Sequence, residues 1–226
     1  MPLDPPTARP AVTPPEAAPA VAPELPAKAE LLGVPVALTD YERTLDWIDG
    51  MVAAQERGYI CVAAVHTIMA FAEDPGLERA VLASSMTVPD GQPIVWALNA
   101  LGHQLPDRVY GPTLMAKACE RAARTGQRIF LYGGRNEGAL VQLTLNLRRQ
   151  YPGIRIVGGY SPPFRDLTAD EEQQVIDMID GSGADVVWVG IGVPKQEKWM
   201  AHMRPRLAAP VLIGVGAAFD FHAGLV

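Results

Sequence analysis

VGIGVPKQEKWM at residues 189–200 and TVPDG at residues 87–91 each run an apolar strand into an abrupt polar turn built on glycine and proline. Open α/β sheets present reactive groups at their strand ends in this way. In the second stretch Pro89 fixes the backbone before Asp90 and Gly91 follows it, so Asp90 is expected to be held at the mouth of a sheet. In the first, two glycines lead to Pro194, which suits a first helical turn, and then to Lys195 and Gln196. Amides, an ammonium and a carboxamide would converge there on a nucleotide or its phosphates. A well-capped surface helix fits the same residues.

Outward from these stretches, β-like apolar runs alternate with helical periodicity. Strands are expected at residues 31–36, 59–65, 86–88, 128–132, 155–160, 186–190 and 211–215. Helices are expected after Asp40, with Leu45, Ile48 and Val52 on the apolar face, and at 67–71, 75–83, 94–101, 113–125 and 138–151. Another should start at Thr168, where Thr168 and Glu171 form a capping box, and end near residues 181–183; a last one starts at Pro194 or Lys195. Strands separated by helices need parallel crossovers. The expected fold class is therefore α/β: one Rossmann-like domain, a parallel sheet with helices on both faces and ligands at the carboxyl ends of the strands.

That domain is expected over residues 29–226. Residues 1–28 hold nine prolines and seven alanines with no aromatic residue, so they cannot bury enough apolar surface to offset ordering entropy, and a disordered tail is expected. In the whole chain, 49% apolar and 19% charged residues are ordinary for a globular protein. The net charge of −6, without a concentration of Lys and Arg, argues against nucleic acid as a partner. Cys61 and Cys119 lack metal or disulfide spacing and are expected as reduced core residues. No run approaches a membrane span and no signal-peptide pattern opens the chain, so a cytoplasmic location is expected.

Three further constellations invite chemistry. FLYGG at residues 130–134 brings a buried strand to Gly133 and Gly134 just before a helix, where bare backbone could approach an anion; a plain strand-to-helix turn explains it equally well. Arg108, between helices, could clamp a diphosphate with its planar fork or simply pair with Asp107. Asp220 and His222 suggest a metal pair, but the other histidines are scattered and no DxD occurs, so no metal is expected and a packed or hydrogen-bonded His222 is favoured.

Five segments in order, PDG at 89–91, RVYGPTLM at 108–115, FLYGG at 130–134, GxPKQExW at 192–199 and VGAAFDFHAG at 215–224, resemble the WecG/TagA/CpsF family of bacterial glycosyltransferases (glycosyltransferase family 26) over residues 31–226. The resemblance implies inverting transfer of a sugar from a UDP-sugar to a polyprenyl-diphosphate-linked acceptor in cell-surface polysaccharide synthesis. It implies a peripheral protein at the inner face of the plasma membrane, needing no metal or other cofactor. By the same resemblance Asp90, with Gly91 beside it, is the catalytic base, Arg108 stabilises the diphosphate and Gln196 contacts the substrate. An inverting displacement needs one carboxylate to take the acceptor's proton. Arg108, Lys195 and the turn at Gly133 and Gly134 are the groups available to neutralise the departing diphosphate.

Two departures from the family pattern stand out. Where Thr-x-Asn is often found, this chain reads Val62-Ala63-Ala64, leaving His66 and Thr67 as candidate substrate contacts. Family members also continue past FDFHAG into a basic helical region, whereas this sequence stops at Leu225-Val226. Weak activity, weak membrane association and self-association through an uncovered apolar patch are the expectations for the 226-residue chain. A non-catalytic nucleotide-sugar binding protein is the alternative reading. A nicotinamide oxidoreductase is disfavoured, because the first strand–helix turn lacks the glycine fingerprint.

Overall fold

A hairpin, not the single short strand expected at residues 31–36, opens the fold. The computed structural model describes residues 21–226, so most of the expected tail, residues 1–20, lies outside the described residues. Strand β1 (Lys28–Leu31) pairs antiparallel with β2 (Val34–Ala37) around Leu32 and Gly33, whose φ values of 51° and 85° match a tight two-residue turn. Lys28, placed at the end of the expected tail, opens β1, and the Ala27 carbonyl accepts a hydrogen bond from Leu38 N–H. The hairpin was hidden because Leu32-Gly33 is not an Asn-Gly or Asp-Gly pair and Pro35 interrupts the run.

Helix α1 (Tyr41–Ala54) follows, its first turn capped by the Asp40 carboxylate on Arg43 N–H. Then come β3 (Gly58–Ala63), α2 (Val65–Glu73), α3 (Pro75–Leu82), β4 (Met86–Pro89), α4 (Gln92–Ala100) and α5 (Gly111–Thr125). The second half runs through β5 (Arg128–Gly133), α6 (Glu137–Gln150), β6 (Arg155–Tyr160), α7 (Ala169–Ser182), β7 (Val186–Gly190), α8 (Lys195–Met203), β8 (Val211–Gly214) and α9 (Ala218–Ala223). The expected strands and long helices are present, with ends shifted by one to three residues at most of them. The capping box at Thr168 and Glu171 opens α7. Helix α9, six residues without a readable period, was not anticipated.

Six strands form one parallel sheet in the order β4-β3-β8-β7-β5-β6. Strand side chains alternate between two cores. Ile60, Val62, Ile129, Leu131, Trp188 and Ile213 pack under α1, α5, α6 and α9. Tyr59, Cys61, Phe130, Tyr132, Val187 and Leu212 pack under α2, α3, α4, α7 and α8, with the hairpin's Val34 and Val36. Burying both faces explains why the strands read as continuous apolar runs. Full burial of each large apolar side chain contributes roughly 1.5–3 kcal/mol, so these two layers carry the stability of the scaffold. Cys61 and Cys119 are both buried and free.

Candidate active site

Parallel topology sends every strand of the sheet out at one edge, and the turns there gather the candidate residues. They fall into two groups, one beyond β3 and β4 and the other beyond β5, β7 and β8.

In the first group Asp90 follows Pro89, the last residue of β4. Its N–H donates to the Ala63 carbonyl at 2.9 Å and the neighbouring Pro89 carbonyl accepts from Val109 N–H, so the backbone is tied to β3 and to the segment leading into α5. Asp90 Oδ1 accepts from Gly111 N–H at 3.2 Å. Gly111 is the first residue of α5, whose own N-cap, Tyr110, supplies no side-chain bond. The carboxylate therefore meets the positive end of a helix. Burial pushes the Asp90 carboxyl above the ordinary carboxylate range, partly offset by Gly111 N–H and by the charges of Arg108 and His66. A carboxylate shifted upward is a better base, and it remains at the sheet's mouth.

The Arg108 guanidinium lies 4.4 Å from the centre of the Tyr110 ring, a cation–π contact. Asp107 bonds only the Arg108 backbone N–H, at 2.7 Å, and no carboxylate forms an ion pair with Arg108 among the described residues. Its charge is thus available beside Asp90. Tyr110 is itself held by the Tyr41 hydroxyl, which accepts its N–H at 3.0 Å. Gly91 is the N-cap of α4 and packs near Val65. His66 is exposed in the first turn of α2, whereas Thr67 is buried and its hydroxyl has no partner. The structure therefore brings Asp90, Arg108 and His66 within electrostatic reach, and it turns Thr67 inward.

The second group surrounds a cleft of about 610 Å³. Glycines end the three strands beneath it, because each lies under close-packed neighbours. A Cβ on Gly190 would fall 2.5–2.8 Å from the Phe219 ring, and one on Gly133, whose φ is 133°, would strike the Gly190 backbone. Gly134 N–H donates to the Gly190 carbonyl at 3.0 Å. Gly133 is thereby buried in the sheet, while Gly134 and Lys195 line the cleft.

Lys195 begins α8. A cation there opposes the helix dipole, so the helix itself gains nothing from it. Among the described residues Lys195 has no carboxylate partner, while the other cleft cations are paired: Arg135 with Asp220 at 2.9 Å and Lys198 with Asp74 at 2.6 Å. Arg165, also at the cleft, is bidentate on Glu171. Gln196 does not enter the cleft. It is buried, its Oε1 accepting from Gly216 N–H at 3.0 Å and its Nε2 donating to Glu197 at 2.8 Å.

The sequence reading missed the rest of the cleft wall. Tyr132 and Trp199 stack with centroids 4.0 Å apart, and Pro162, Phe164 and Arg165 close one side. The Pro-rich turn at residues 161–163 was the available signal. Asp220 and His222 do not converge: Asp220 pairs with Arg135, and His222 Nε2 lies 2.8 Å from the Pro112 carbonyl. Among the described residues no three His, Cys, Asp or Glu side chains gather as a metal site.

These features define a Rossmann-like α/β domain with a ligand cleft and a poised carboxylate on one edge of its sheet. The sequence model of the Glycosyl transferase WecG/TagA/CpsF family matches residues 29–226, and the chain belongs to that family. It is similar to proteins named N-acetylglucosaminyldiphosphoundecaprenol N-acetyl-beta-D-mannosaminyltransferase from three bacteria. The Bacillus spizizenii protein is 27% identical over 154 residues, 68% of this chain and 58% of the relative. The Bacillus subtilis protein is 25% identical over 195 residues, 85% and 73% of the two chains, and the Staphylococcus aureus protein 28% over 201 residues, 88% and 76%. The match to the first thus spans under two thirds of that relative's length. Among the described residues no helix is long and apolar enough to cross a membrane.

Proposed function

We propose that this protein is an inverting glycosyltransferase that moves a sugar from a UDP-sugar to a polyprenyl-diphosphate-linked acceptor, working at the inner face of the plasma membrane in cell-surface polysaccharide synthesis. The relatives' names point to N-acetylmannosamine as the sugar and to N-acetylglucosaminyl-diphosphoundecaprenol as the acceptor. They also specify a β-linked product, which from an α-linked nucleotide sugar requires inversion.

The observation that carries the reading is Asp90: one carboxylate at the sheet edge, its basicity raised by burial, fixed by Gly111 N–H and flanked by Arg108. In the reaction Asp90 takes the proton of the acceptor hydroxyl as that oxygen bonds to the anomeric carbon. The bond from this carbon to the diphosphate oxygen breaks and UDP departs with the electron pair. Lys195, unpaired at the cleft among the described residues, meets the diphosphate, the Gly134 N–H being spent on the Gly190 carbonyl, and Arg108 meets the charge nearer the base. The turns after β4 and β7 are three strand spacings apart, about 14 Å, a span that a hexose and its diphosphate fill.

Titration calorimetry with UDP and, as a control, NAD tests the binding step, and UDP release in the presence of the lipid-linked acceptor tests the transfer. UDP binding with acceptor-dependent release is expected. Binding of NAD in preference to UDP, or UDP binding with no release, would refute the transferase reading.

A further inference from the structure

Glu197 is the second residue after Lys195, yet it is completely buried on the inner side of α8. Its Oε1 accepts from Gln196 Nε2 at 2.8 Å and its Oε2 has no partner. Gly216 N–H can only donate, so the Gln196 atom facing it at 3.0 Å must be the oxygen, and the NH2 group must then point to Glu197. An acceptor at position 197 is what keeps the carboxamide from turning over. Space for this chain of bonds is made in β8. A Cβ on Gly214 would stand 3.2 Å from the Gln196 carboxamide and 2.7 Å from Met200 Cε. Gly216 itself has a φ of 49°, left-handed backbone that needs outside support.

We propose that Glu197 is a positioning residue: its buried carboxyl orients Gln196, which holds Gly216 N–H and so sets the β8–α9 turn, Gly216 and Ala217, that lines the donor cleft. The inference rests on the donor reading of that cleft and adds to it a residue that never touches the donor. Burial pushes the Glu197 carboxyl above the ordinary carboxylate range, opposed by the Gln196 amide and by its own backbone N–H. Tyr59 and Cys61 of β3 are the titratable neighbours that face it, and Lys198, next on α8, is engaged outward with Asp74. Glutamine has the same length and keeps an acceptor oxygen, which makes Glu197→Gln the conservative variant and Glu197→Met the one that removes the acceptor.

Hydrogen exchange of the ligand-free protein and UDP calorimetry test this together. Glu197→Met should speed exchange of the Gly216 amide at least about 10-fold while leaving Leu212 and Ile213 in β8 protected, and Glu197→Gln should restore it to within about threefold. UDP affinity should fall by a similar factor in Glu197→Met and recover in Glu197→Gln, with KM for the donor moving more than kcat. Glu197→Met combined with Gln196→Met should bind no more weakly than Gln196→Met alone, because the two act in series. Should Glu197→Met fail to fold, Glu197→Asp, which withdraws the carboxyl by one methylene, must show the same pattern. Unchanged Gly216 exchange, additive effects on UDP affinity, or faster exchange with undiminished affinity would each overturn the proposal. If the unaltered protein binds no UDP, the donor reading fails, and the Gly216 exchange still decides whether Glu197 positions the turn.

Discussion

Gly111 N–H donates to Asp90 Oδ1 at 3.2 Å, joining the start of α5 to the turn after β4 across 21 positions of sequence. One bond serves two purposes. It satisfies a helix N–H that Tyr110 leaves uncapped, and it fixes one oxygen of the carboxylate so that Oδ2, with no hydrogen bond among the described residues, is the one free for chemistry. A capping aspartate alone explains the first purpose, and the raised proton affinity beside Arg108 belongs to the second.

Asp90→Asn separates the two roles. Asparagine still offers an oxygen to Gly111, so the melting temperature and UDP affinity should change little. Turnover, measured as acceptor-dependent UDP release, should drop by at least about 10²-fold, the usual contribution of a general base. Asp90→Ala should in addition cost about 1 kcal/mol of stability through the lost cap. Turnover near that of the unaltered protein in Asp90→Asn would remove Asp90 from the mechanism.

Arg108 should be visible in the pH dependence. Asp90 must be ionised to act, so kcat/KM falls as pH drops through its raised pKa. Arg108 holds that value down, and removing its charge lets it rise further. Arg108→Met should therefore move the acid limb of the kcat/KM profile to higher pH, besides lowering the plateau. His66→Gln should move it the same way. A limb that stays in place, or moves to lower pH, in either variant would show that the charge removed does not hold the Asp90 value down.

Much of this edge of the sheet could be read from the residues. Pro-Asp-Gly placed Asp90 correctly because its constraint is local, and the proline before Lys195 marked the start of α8 for the same reason. Thr67 and Gln196 were expected to meet substrate and are buried instead. Which way Gln196 points is decided by the bare backbone of Gly214, 18 residues later, and by an acceptor on Glu197 that reads in sequence as an ordinary surface charge. The pairing of Arg135 with Asp220 spans 85 positions and has no local signature either. Local stereochemistry was legible, and side-chain direction set by distant strands was not.

Glycines of the sheet and of its covering helices should respond to an added methyl according to what lies over them. Gly190→Ala places a carbon 2.5–2.8 Å from the Phe219 ring, with the sheet below, and should cost about 1–3 kcal/mol while displacing α9. Gly181→Ala in α7 meets nothing within 4 Å at a helical position and should stabilise by about 0.4–1 kcal/mol. Urea unfolding of the pair measures both. A stabilised Gly190→Ala would mean that Phe219 does not rest on β7.

Glu197 also leaves a mark on stability against pH. Its pKa in the unfolded chain is about 4.3 and in the fold it is higher, so between those values the native state keeps a proton that the unfolded state gives up. Stability contributed by this group is therefore complete below the unfolded value and is lost as pH rises through the window to the folded one, at up to about 1.4 kcal/mol per pH unit. Glutamine at this position carries no such proton. The unfolding free energy of Glu197→Gln minus that of the unaltered protein should accordingly grow as pH rises from about 4.5 toward neutrality, while Asp90 contributes equally to both and cancels. A difference independent of pH would mean that Glu197 is ionised in the fold. It would then be a buried carboxylate with no cation paired to it among the described residues, an arrangement that lacks the pairing such a charge requires.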